Sequence, residues 1–144
     1  MRRLLVALAL LPMLATAQAR PGNPTAPLIA RALDHENAGR YDQARDAWLE
    51  VLKSGAATPA VLGLERVYTM TGDEDFLLPL LDSLVPLTPA DPQLRGAQLR
   101  VLVITGREAA ADSAFSQWRD LRPKEVAPYR DYARILPVSY THLT

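Results

Sequence analysis

Three arginines, Arg66, Arg100 and Arg134, stand 34 residues apart. A guanidinium offers a planar fork of donors that grips a carboxylate or phosphate through two parallel bonds. Three forks in a column can read an acidic segment or a C-terminal carboxylate. The competing reading is that exposed helix positions often carry arginine and that a neighbour such as Glu65 neutralises it. Other chemistry finds little support. With no cysteine in 144 residues, thiolate metal sites, cysteine nucleophiles, disulfides and a lipidated cysteine are excluded. Two histidines leave no multi-histidine metal centre. Ser54, Ser83, Ser113 and Ser116 lack a Gly-x-Ser-x-Gly frame, and no phosphate-cradling glycine loop is present. Asp73, Glu74 and Asp75 do not have calcium-loop spacing and read as the acidic start of a helix, favoured by its dipole. Sixteen basic and sixteen acidic side chains balance, which argues against a nucleic-acid binder. The expectation is binding without catalysis, cofactor or metal.

A column of arginines needs a repeating scaffold, and the sequence has one. Gly39, Gly72 and Gly106 are 33 and 34 residues apart. Four residues before them stand His35, Tyr68 and Leu102. Five after stand Ala44, Leu77 and Ala111; nine after, Trp48, Leu81 and Phe115; twelve after, Val51, Leu84 and Trp118. Each unit reads as two amphipathic helices about a glycine stop, since glycine takes positive φ without a Cβ clash. The first unit opens at Pro27 and Leu28 and ends at Lys53, Ser54 and Gly55. The second spans about Thr58 to Leu87 and the third about Asp91 to Leu121. Asp91 followed by Pro92 predicts an N-cap. A fourth begins near Glu125, with Tyr129, Tyr132 and Leu136 left without a following helix, which predicts self-association or fraying at that end. His35 falls at an apolar phase and is expected to be a packed interior histidine. Trp48 and Trp118 are expected to anchor the core.

The pattern resembles the tetratricopeptide repeat family from Thr25 to Leu136. Gly39-Arg40-Tyr41-Asp42-Gln43-Ala44 followed by Trp48 carries the likeness best. Gly106, Ala111, Phe115 and Pro123 repeat it, with Glu108 in place of the tyrosine. The middle unit departs: Leu77 replaces the small alanine, and Pro79 falls inside the expected second helix, which must start late, near Phe76, or kink. The resemblance implies an all-α, right-handed α-solenoid of stacked antiparallel helix pairs, about three repeats plus a truncated fourth. It also implies a concave groove, lined by the first helix of each pair, that binds a peptide or protein segment; Arg66, Arg100 and Arg134 would face it. The alternative is the N-terminal recognition module of a larger secreted enzyme or outer-membrane assembly factor.

Both ends read differently from the middle. Arg2 and Arg3, an apolar run from Leu4 to Ala15, and Ala17-Gln18-Ala19 fit a secretory signal over residues 1–19, with 20–24 as linker. The run is too short for the ~20 residues a membrane span needs. Cleavage after Ala19 leaves 14 basic against 16 acidic side chains and no membrane span, placing the mature chain in the periplasm or outside a bacterial cell. A near-neutral chain without a basic apolar helix also argues against a peripheral membrane binder. Residues 137–144, from Pro137 through Val138-Ser139-Tyr140-Thr141-His142-Leu143-Thr144, resemble translated sequencing-adapter read-through, so His142 carries no functional weight.

Overall fold

The computed structural model describes residues 24–135; the expected signal, most of the linker and the suspected tail lie outside them. Among the described residues every regular element is helical: α1 (Thr25–Asn37), α2 (Tyr41–Lys53), α3 (Ala57–Thr71), a 3₁₀ helix (Glu74–Leu77), α4 (Leu78–Leu84), α5 (Pro92–Ile104), α6 (Glu108–Leu121) and α7 (Ala127–Ile135). The chain is therefore an all-α stack of helix pairs, tetratricopeptide-like, with α7 in the place of a fourth pair's first helix.

The glycine rhythm becomes a repeated turn. Gly39, Gly72 and Gly106 have φ of 68°, 78° and 71°. After each, the next N–H reaches back to the carbonyl five residues earlier: Arg40 to His35 at 2.9 Å, Asp73 to Tyr68 at 3.0 Å, Arg107 to Leu102 at 2.7 Å. This bond satisfies a carbonyl that the helix end would otherwise orphan. A side chain at these glycines would meet no neighbour, so it is the backbone conformation that requires them.

The middle pair settles the question that Pro79 raises. The second helix starts late: the 3₁₀ turn occupies Glu74–Leu77, and Pro79 falls in the first turn of α4, where its missing N–H has no helical acceptor to lose. Other starts shift slightly. α1 begins at Thr25, with Pro27 tolerated in its first turn, and the fourth unit's helix begins at Ala127 after turns through 122–126. Asp91 caps α5, accepting from the N–H groups of Gln93 at 2.8 Å and Leu94 at 3.3 Å, while its other oxygen accepts from Thr58 Oγ1 at 2.7 Å.

One continuous core runs through the stack. Ala32, Ala44, Val51, Ala60, Val61, Leu64, Leu81, Ala97 and Trp118 are fully buried, and Trp48 nearly so. The two tryptophans anchor different repeats, as expected. Trp48 lies so close on α3 that a Cβ on Gly63 would stand 2.2 Å from its ring. His35 does not join this interior. It sits half-buried in the last turn of α1, where its Nδ1 accepts from Arg40 Nε at 3.1 Å across the turn.

Candidate functional site

The first helices touch one another in sequence: α1 packs on α3, α3 on α5, and α5 on α7. Residues at one repeat phase are thus brought onto neighbouring helices. Arg66 on α3 and Arg100 on α5 share a shallow cleft of ≈ 440 Å³ with Glu36, Glu65, Thr69 and Met70. Arg134 on α7 is exposed and is not part of that cleft.

Both clustered arginines already hold carboxylates. Arg66 donates to Glu36 through Nε at 2.6 Å and Nη2 at 3.0 Å, and its Nη1 donates to the Leu62 carbonyl at 3.1 Å. Trp48 Nε1 donates to the same Glu36 at 3.1 Å, and the Arg66 guanidinium lies 5.6 Å from the Trp48 ring centroid. Arg100 donates to Glu65 through Nε at 2.5 Å and Nη2 at 2.7 Å. Each pair ties one repeat to the next. The hydrogen-bonded carboxylates hold both guanidinium groups above their ordinary pKa, against the opposing effect of burial.

Gly96 makes room on α5 for this arrangement. A Cβ there would stand 3.1 Å from Arg100 Nη1 and 3.4 Å from Asp131 Oδ2, so Arg100 lies between carboxylates contributed by α3 and α7. Asp131 also accepts from Arg130 Nε at 2.9 Å. Arg134 has no carboxylate partner among the described residues. Counting back one repeat from it by the Arg66 and Arg100 intervals reaches only Ile104 or Leu99 on α5, neither of them acidic.

Beside the paired charges lies exposed apolar surface. Met70 and Ile104, each two residues before its glycine, are 63% and 59% exposed, and Leu33, at the arginine phase of α1, is 37% exposed. The face combines internally neutralised charge with apolar side chains. It holds no nucleophile–base pair, and among the described residues no three His, Cys, Asp or Glu cluster as a metal set. The acidic run disperses too: Asp75 accepts from Arg107 Nη2 at 3.1 Å. No described helix is long and apolar enough to cross a membrane.

Sequence spacing brought Arg66 and Arg100 together and pointed to Glu65. It missed Glu36, whose only signal is its place three residues before Gly39, on the first helix of the pair preceding that of Arg66.

No protein-family profile matches the chain, and no curated protein matches it. Among solved structures the chain is similar to the MamA D159K mutant 1, at 21% identity over 76% of this chain and 84% of that one, with a TM-score of 0.41.

Proposed function

We propose that the chain is an exported binding scaffold that holds a segment of another protein along the face of its first helices, without catalysis. The observation that carries this reading is the cleft between α3 and α5, where Met70 stands exposed beside Arg66 and Arg100. Exposed apolar side chains rimmed by charged ones mark interaction surfaces. In this reading Met70 and Ile104 supply the apolar contacts. Arg134, without a carboxylate partner among the described residues, supplies a fork for an acidic group, and Arg66 and Arg100 engage the partner through the donors that Glu36 and Glu65 leave open.

A photo-crosslinking residue at Met70 tests it in whole cells. Adducts are expected at Met70 and not at Asp46 on α2, and Ile104→Glu or Arg134→Glu should reduce them. Equal adducts at both sites, or none at Met70, discard the reading. Export is tested separately: the mature chain should begin at Arg20 and appear in the periplasmic or culture fraction.

A further inference from the structure

The third repeat buries polar groups where the other two bury hydrocarbon. Eleven residues before the turn glycine stand Leu28, Val61 and Arg95; twelve after stand Val51, Leu84 and Trp118. The first two pairs are apolar and belong to the core or pack against it. The third pair consists of hydrogen-bond donors with no side-chain acceptor of their own. Because α5 and α6 run antiparallel about Gly106, Arg95 and Trp118 stand at the same level of the helix pair.

Neither is fully satisfied. Arg95 is 5% exposed, and no carboxylate partners it among the described residues. Its Nε donates to the Pro89 carbonyl at 3.1 Å and its Nη1 to Gln98 Oε1 at 3.3 Å; Nη2 has no acceptor among the described residues and, unlike the Trp118 indole, keeps contact with solvent. Trp118 is 0% exposed, and its Nε1 has no acceptor. Burial lowers the pKa of Arg95, unlike that of the paired Arg66 and Arg100. A buried cation without a counter-charge is costly, and buried donors normally find acceptors.

A cleft lies behind Gln98, which separates it from Arg95; Arg95 and Trp118 do not themselves line it. A cavity of ≈ 250 Å³ opens between α4, α5 and α6, walled by Asp82, Gln98, Arg107, Ser113 and Gln117. Gln98 is the residue that occupies Arg95 Nη1, and Trp118 directly follows Gln117. We propose that this cleft is a carboxylate-binding site: the ligand enters beside Gln98, displaces its amide oxygen and takes Nη1 and Nη2 of Arg95 in a fork. The carboxylate comes from a free small acid or from the C-terminus of a peptide. This site is separate from the Arg66–Arg100 face.

The two indole N–H resonances of the full chain provide the test, with Trp48, bound to Glu36, as the internal control. The probes are acetate, N-acetyl-alanyl-alanine and its amide, each against chloride at equal ionic strength. Acetate should move the Trp118 resonance and leave that of Trp48 in place. Arg95→Met, which restores an apolar side chain at the phase of Leu28 and Val61, should weaken acetate binding about tenfold or more. Gln98→Leu removes the competing acceptor and should tighten it severalfold. If the dipeptide acid binds more tightly than acetate, the source is a peptide C-terminus; if acetate binds and the dipeptide does not, it is a small acid. A Trp118 resonance unmoved by acetate, an equal response in Arg95→Met, or binding of the amide as strong as that of the acid overturns the proposal.

Discussion

The guanidinium of Arg66 clasps the carboxylate of Glu36, thirty residues earlier in the chain, through two donors at 2.6 and 3.0 Å. Glu36 is 17% exposed and also accepts from Trp48, whereas Arg66 is 49% exposed. Solvent on the arginine side keeps the pair modest, so a double-mutant cycle with Glu36→Ala and Arg66→Ala should give a coupling of about 1 kcal/mol. Glu36→Ala alone should cost about 2 kcal/mol in urea unfolding, because it also strips the acceptor from a buried indole.

Two helical glycines should respond in opposite directions. Gly63→Ala drives a methyl into the buried Trp48 ring, and overpacking of this kind costs about 1–3 kcal/mol; the upper end is expected because the obstacle is a rigid ring. Gly96→Ala meets only the ends of Arg100 and Asp131, which can shift, so the gain in helix propensity of up to about 1 kcal/mol should leave it neutral or stabilising. Thermal unfolding of both variants checks the contrast.

Asp91 serves two repeats at once, capping α5 and accepting from Thr58 on α3. Asp91→Ala should cost about 1–2 kcal/mol, and Asp91→Asn should keep most of the cap. Thr58→Val should cost less than Asp91→Ala. Equal losses for Thr58→Val and Asp91→Ala would place the energy in the contact between repeats and not in the cap.

The Tyr132 hydroxyl donates to Asp112, and that bond pushes its pKa up to about 12. The protonated form is the one the fold favours. Its contribution should therefore be constant below the unfolded value near pH 10 and fade as pH rises from about 10 to 12. Tyrosinate absorbance should show a late titration that Tyr132→Phe removes, and the same variant should flatten the stability profile over that window. Tyr68 also titrates late, chiefly through burial, and should be unaffected.

Local chemistry was legible in the sequence. Gly39, Gly72 and Gly106 signal turns through conformational freedom, Pro79 forbids an early α4, and Asp91 beside Pro92 announces a cap. The tryptophan anchors followed from helical periodicity. What periodicity does not carry is the rotation of one helix against the next. That rotation decides that Arg66 meets Glu36 whereas Arg100 meets Glu65, from phases four residues apart. It also leaves His35 at the rim, where the last turn of α1 faces Arg40. The demand on Gly63 becomes visible only once Trp48 is seen lying on it.

The abbreviated α4 has a mechanical consequence. At about 1.5 Å per residue, its seven residues span roughly half the length of the thirteen of α2 or the fourteen of α6. The 3₁₀ turn Glu74–Leu77 completes the outer layer of the second repeat in looser helical geometry, so the backing there is the least regular. In a body whose units contact only their neighbours, compliance concentrates where the backing is least regular. Curvature should change first between α3 and α5, widening or narrowing the gap that Arg100 bridges to Glu65, much as a leaf spring bends at its shortest leaf.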